Sequence, residues 1–197
     1  MCEEQLAYQE KVEQIRTRLI EVFGMPEWRQ PLPAVDELVS TILSQNTNDT
    51  NRDAAFVQLR ATFPDWNAVM VADTAEVVDA IRTAGLANQK GPRIQEALRE
   101  IAQFTDGNLN LDFLREMPIE EARQWLIAVK GVGPKTAAIV LLFSLGIPAF
   151  PVDTHIYRVT GRIGLRPLNL SVEKTHTFLE ERIPEDAFYD LHLNLIR

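Results

Sequence analysis

Apolar residues recur at the 3.6-residue spacing of an amphipathic helix along almost the whole chain, and strict alternation is nearly absent. The first segment, Met1 to Phe23, carries Leu6, Val12, Ile15, Leu19 and Val22 on one stripe and stops at Gly24. A proline-punctuated linker, MPEWRQPLP, follows. Ala34 to Ser44 then reads as an apolar helix, and Asp49 to Phe63 as a second that opens on a capping acid. Asp73 and Glu76 have the spacing of a capping box for a helix to Ala84, closed by Gly85. Lys90 to Phe104 comes next, and Pro118, at a first helical position, opens a helix to about Val129. Lys135 to Leu145 is apolar almost all round, which predicts a buried central helix. Asp153 is placed to cap Thr154 to Ile163, ended by Gly164, and Ser171 to Arg182 and Asp186 to Arg197 complete the set. The expected class is all-α.

A chain of 197 residues can hold one large domain or two small ones. Its single cysteine, Cys2, rules out an internal disulfide framework and any zinc or iron–sulfur site built from this chain's own cysteines. His155, His176 and His192 lack metal-ligand spacing, so no side-chain metal site is expected. The longest apolar run, Ala137 to Phe143, is far short of a membrane span, and the acidic N-terminus is unlike a signal peptide. An intracellular protein with no membrane partner is the expectation.

A net charge of −8 argues on its face against a nucleic-acid partner. The distribution changes that picture. Residues 123–166 carry Arg123, Lys130, Lys135, Arg158, Arg162 and Arg166 against one carboxylate, Asp153, inside an otherwise acidic chain. Such a stretch suits a phosphate-binding face, and equally a solvated basic helix face.

The same stretch contains helix, then Lys130-Gly131-Val132-Gly133-Pro134, then helix, over about 119–145. Two glycines let the backbone turn sharply and approach another surface, while Val132 between them can plug into the core. The leading N–H groups of the second helix lack intrahelical partners and suit a phosphate. Glycine turns between helices are common, so the hairpin by itself leaves a plain turn open. Lys135, in the first turn of that helix, is either a phosphate-contacting surface lysine or, as the free amine, a nucleophile able to form a Schiff base. Asp153 reads as an N-cap, a role compatible with an ionised catalytic carboxylate.

V-K-G-V-G-P-K-T-A-A followed by P-V-D-T-H-I-Y-R-V resembles the helix-hairpin-helix DNA glycosylases, and within them endonuclease III most closely. L-S-Q-N-T-N-D at 43–49 and G-L-A-N-Q-K at 85–90 stand in the matching order, so the resemblance spans roughly residues 30–197. It implies a two-domain fold: a six-helix barrel over 33–148, and a second helical domain built from 1–32 and 149–197, with DNA in the cleft between. It implies a base-excision-repair glycosylase with abasic-site lyase activity on oxidised pyrimidines, a monomer acting on damaged double-stranded DNA in the cytoplasm or nucleoid. Lys135 would be the nucleophile at C1′, and Asp153 the carboxylate that stabilises the cationic sugar. Lys130, Gly131, Val132, Gly133 and Thr136 would hold the DNA backbone, with a monovalent cation on the hairpin carbonyls.

Extruding a base leaves a void to fill. Gln45 or Asn46, Leu86 and His155 are the corresponding wedge residues. Endonuclease III commonly has S-A-Q-x-T-D where this chain has S-Q-N-T-N-D, so either Gln45 or Asn46 could enter the duplex. The family also typically continues into a [4Fe–4S] loop with four cysteine ligands, and this chain ends at D-L-H-L-N-L-I-R without them. Truncation before that loop, or a cluster-free branch, would account for this. A relative of other base specificity, such as an 8-oxoguanine enzyme, or a catalytically silent DNA-binding module remain the alternative readings.

Overall fold

A computed structural model describes residues 3–197, in which eleven α-helices follow one another and no strand occurs among the described residues. Met1 and Cys2, including the expected first residues of the opening helix, lie outside the described residues. The chain divides into two compact units, each with its own packed interior. One is the continuous stretch Leu32–Val140; the other joins the segment up to Pro31 with Leu141–Arg197.

The continuous unit holds α2 (Ala34–Ser44), α3 (Asp49–Thr62), α4 (Trp66–Val71), α5 (Thr74–Ala80), α6 (Ala87–Phe104), α7 (Ile119–Ala128) and α8 (Pro134–Ile139). Its apolar stripes bury Leu38, Ile42, Leu59, Val77, Ile94, Leu98, Ile101 and Leu126. The packing is close enough to select residues. A Cβ on Gly91 of α6 would stand 2.8 Å from Val78 Cγ2 of α5, so glycine alone fits there. Buried polar side chains of α6 close the ends of its neighbours. Gln95, fully buried, donates to the Val69 and Ala72 carbonyls at the end of α4.

Several boundaries differ from expectation. Asn48 rather than Asp49 caps α3, accepting the Asn51 N–H at 2.8 Å, so Asp49 is the first helical residue. Pro118 is the N-cap of α7 rather than its first helical residue. Helix α6 begins at Ala87, a turn ahead of Lys90, behind a left-handed Leu86. Helix α4 and the 3₁₀ turn Asp112–Glu116 are additional, both too short to show a period. Helix α4 is nonetheless well held, since Asp65 caps it and Trp66 Nε1 donates to Asp36 of α2 at 3.0 Å.

The other unit contains α1 (Glu3–Phe23), α9 (Thr154–Arg162), α10 (Val172–Glu180) and α11 (Phe188–Leu195) around Phe150, Val152, Ile156, Leu165, Leu179 and Phe188. The expected helix Lys135 to Leu145 changes register at its middle: α8 ends at Ile139 and Val140–Leu145 forms a π-helix. An all-apolar run announces burial but carries no mark of an i→i+5 register. The α1 stripe is also narrower than expected. Val12 is fully buried, whereas Leu6 and Val22 are exposed. Polar ties do the rest: Lys11 Nζ donates to Gly164 O, Arg16 pairs with Asp190, and Tyr8 donates to Leu165 O at 2.6 Å.

Burial pushes the Tyr8 phenol from its ordinary 10.0 up to about 12. The folded state therefore holds this proton more tightly than the unfolded chain does. That contribution is complete below pH 10 and is lost as pH rises toward about 12. Relative to Tyr8→Phe, the native chain is expected to lose stability across that window, read as melting temperature against pH.

Candidate nucleic-acid interface and active site

The hairpin is built from α7, a break over Val129–Gly133, and α8. Val129 ends α7 in extended geometry, and the Val132 N–H donates to Val129 O at 3.0 Å, which folds the turn back on itself. Val132 is buried, so only its main chain faces outward. The two glycines differ in what they need. Gly131 has φ +87, a left-handed conformation, and a Cβ there would meet the stem of Arg93 at an ordinary 3.6 Å. Gly133 has φ −100, which any residue adopts, and a Cβ there would meet nothing within 4 Å. Alanine at 131 is therefore expected to cost about 1 kcal/mol, and alanine at 133 less than about 0.5 kcal/mol. Thermal melts of the two variants check this.

Pro134 opens α8, which has no side-chain cap, so its leading N–H groups are left to solvent or ligand. Lys135 is the second residue of that helix and is partly exposed; Thr136 beside it is buried. Lys130 is already engaged. Its ammonium pairs with Glu96 at 2.6 Å and its N–H donates to Glu100 at 2.9 Å, both from α6. The hydrogen bond and charge of Glu96 raise the Lys130 pKa above its usual range.

Three exposed non-glycine residues of the same unit have left-handed backbones: Asn46, two residues past α2, with φ +54, Leu86, capping α6, with φ +50, and Asp106, past α6, with φ +51. Asparagine and aspartate reach this conformation with little strain, whereas a leucine seldom does, and such strain concentrates at functional positions. Leu86 is 47% exposed, so its side chain is accessible at the tip. Gln45 is turned aside instead, its side-chain oxygen accepting from Arg93 at 3.4 Å.

In the other unit Asp153 caps α9, its carboxylate accepting the Ile156 N–H at 2.7 Å. Its leading segment is firmly held. The Phe150 N–H donates to Glu180, and the buried His176 and His192 bond through Nδ1 to the Phe150 and Pro151 carbonyls. These histidines thus serve the Asp153 segment, a role that spacing in sequence could not show. His155 is exposed and its Nδ1 lies 3.0 Å from Arg158. The basic stretch is only partly available to a ligand. Arg166 is buried, donating to the Tyr157, Pro167 and Leu168 carbonyls, and Arg123 lies against Glu120.

Among the described residues, no group of three His, Cys, Asp or Glu is placed to hold a metal ion. One cysteine cannot supply the four thiolates of a [4Fe–4S] cluster, so the residues present do not fit that group. No helix among the described residues is long and apolar enough to cross a membrane.

Residues 39–185 match the family model of the HhH-GPD superfamily base excision DNA repair proteins. The chain is 34% identical over 161 residues to endonuclease III of Sulfolobus acidocaldarius, covering 81% of this chain and 69% of that protein. It is 40% identical over 158 residues to a DNA glycosylase candidate of Arabidopsis thaliana, covering 80% of this chain but 54% of that protein. The chain thus spans about half the length of that plant relative. The fold is similar to that of endonuclease III in a trapped covalent intermediate with DNA, with a TM-score of 0.80 at 23% identity over 95% of this chain and 84% of that one.

Proposed function

Because the chain belongs to the HhH-GPD superfamily of base excision DNA repair proteins, we propose that it is a DNA glycosylase with abasic-site lyase activity on oxidised pyrimidines. The observation that carries this reading is Lys135, an amine in the first turn of α8, directly behind a glycine hairpin whose leading N–H groups have no side-chain cap. Phosphate held on those N–H groups would place the deoxyribose beside an amine. The Lys135 amine attacks C1′, the C1′–N bond breaks, and the base leaves with the electron pair. Loss of the amine proton and ring opening give an imine. Removal of a C2′ proton then expels the 3′ phosphate, and water releases the lysine. Asp153, its carboxylate fixed by the Ile156 N–H, stabilises positive charge developing on the sugar.

Gly131, Gly133 and the main chain of Val132 grip the DNA backbone, with Lys130 and Thr136 flanking it. An open space above Gly133 that the fold itself does not need supports this. Gly133→Ala is accordingly expected to weaken duplex binding without changing the melting temperature. Leu86 enters the duplex on one side and Asn46 on the other, since the Gln45 side chain is engaged with Arg93. His155, exposed in the first turn of α9, is the third wedge residue.

The test is base release and strand cleavage on duplexes carrying one oxidised pyrimidine, one 8-oxoguanine or one mismatched thymine. Release and cleavage at the oxidised pyrimidine are expected. Release without cleavage would reduce the assignment to a monofunctional glycosylase, and binding without release to a silent DNA-binding module. Preferred release of 8-oxoguanine would reassign the substrate alone.

A further inference from the structure

Lys90 is fully buried, 1% exposed, and plays no part in the chemistry above. A lysine is seldom buried without a partner of opposite charge. Here the ammonium instead donates to two main-chain oxygens, Leu43 O at 2.7 Å and Ala84 O at 2.8 Å. Both acceptors stand where a helical element ends. Leu43 is the penultimate residue of α2, and Ala84 is the last of the 3₁₀ turn Arg82–Ala84. Carbonyls at such ends lack helical N–H partners and lie at the negative end of the peptide dipoles, where a cation is favoured. Three residues beyond Leu43 stands Asn46, and two beyond Ala84 stands Leu86, two of the exposed non-glycine residues with left-handed backbones. One ammonium therefore fixes the roots of both loop tips.

We propose that Lys90 is a positioning residue that sets the spacing of the Asn46 and Leu86 tips, so that they enter a duplex as one device. The proposal rests on the reading of those tips as duplex-inserting residues. Burial pulls the Lys90 ammonium below its ordinary pKa, and both of its acceptors are main-chain oxygens. The arrangement lies wholly within Leu32–Val140 and involves neither Lys135 nor Asp153. It also explains why α6 begins ahead of Lys90: the first turn, Ala87 to Lys90, turns the side chain back under both loops.

The experiment uses a duplex with a tetrahydrofuran abasic analogue opposite 2-aminopurine, whose fluorescence rises when the base unstacks. This reads insertion without requiring turnover. The chains compared are native, Lys90→Met, the tip pair Asn46→Ala/Leu86→Ala, and all three changes together. Lys90→Met is expected to bind the abasic duplex about tenfold more weakly and to lose most of the fluorescence rise, while affinity for undamaged duplex changes less than about twofold. In the tip-pair background the same substitution is expected to have no further effect, because residues acting as one unit are non-additive. An equal loss in both backgrounds, or native behaviour of Lys90→Met beside a defective tip pair, would overturn the proposal alone. A tip pair that unstacks like the native chain would overturn the reading of the tips, and the proposal with it.

Circular dichroism and melting temperature accompany each chain, since Lys90→Met leaves two buried carbonyls without a donor. Should it not fold, Lys90→Gln carries the test, because its amide keeps N–H donors on a chain one atom shorter. It is expected to bind the abasic duplex roughly three- to fivefold more weakly, again only while the tips are intact. Native unstacking and binding by a folded Lys90→Gln, beside a defective tip pair, would overturn the proposal.

Discussion

Lys135→Ala is expected to abolish the covalent adduct that borohydride traps between the native chain and abasic duplex DNA. The loss should be roughly 10³-fold or more, because a nucleophile has no partial substitute. Folding should be little affected, since Lys135 lies partly exposed at an uncapped helix start. Asp153→Asn should behave differently. Asparagine caps a helix as well as aspartate does, so the bond to the Ile156 N–H survives while the negative charge is removed. Adduct should still form, about 10²- to 10³-fold more slowly, because only the electrostatic help to the transition state has gone. Equal adduct yields from native chain and Lys135→Ala would remove the Schiff-base mechanism. Complete loss of adduct in Asp153→Asn would give the carboxylate a role beyond electrostatics.

The largest stability effect is expected from Arg16→Met. Arg16 Nε donates to Asp190 Oδ2 at 2.7 Å, and Asp190 is 4% exposed, its other oxygen accepting the Leu191 N–H. Removing the guanidinium strands a buried carboxylate with one remaining donor, at a cost of about 3 kcal/mol. For a chain of this length that corresponds to a fall of roughly 6–12 °C in melting temperature. The second partner, Asp186, has a side chain that is 74% exposed, so Asp186→Asn should change stability by no more than about 0.5 kcal/mol. Adding Asp190→Asn to Arg16→Met should restore part of the loss, because the stranded charge is then gone. A fall below about 1 kcal/mol for Arg16→Met would mean that water or another group already solvates Asp190.

What can be read from the chain follows from how local each cause is. Helices with a capping side chain start where their patterns place them, as α5 does behind Asp73 and α9 behind Asp153, although α5 ends at Ala80 and the expected stretch to Ala84 closes as the 3₁₀ turn Arg82–Ala84. The hairpin glycines are visible in sequence, but not that φ demands only the first of them. The six-residue α4 and the π-turn at Val140–Leu145 carry no period of their own, being held by neighbours distant in sequence. Charge is the least legible property. Arg166 and Lys130 look alike in sequence, yet one is spent on carbonyls inside its unit and the other on Glu96. Asn46 and Leu86 can be placed by resemblance, whereas their left-handed backbones arise from the loops around them. Lys90 lies inside the quoted G-L-A-N-Q-K segment, but its partners at 43 and 84 become neighbours only in three dimensions.

The division of the chain also orders its birth on the ribosome. Leu32–Val140 is uninterrupted and can fold as it emerges. Helix α1 is made before that unit, whereas Gly164, Leu165, Asp186 and Asp190, to which it is tied, are made after it. At roughly 5–20 residues per second it waits on the order of ten seconds. Until then its apolar stripe stays open to solvent. When its partners arrive, Val12 is the fully buried apolar side chain among its described residues, so docking is secured mainly by the polar ties of Tyr8, Lys11 and Arg16.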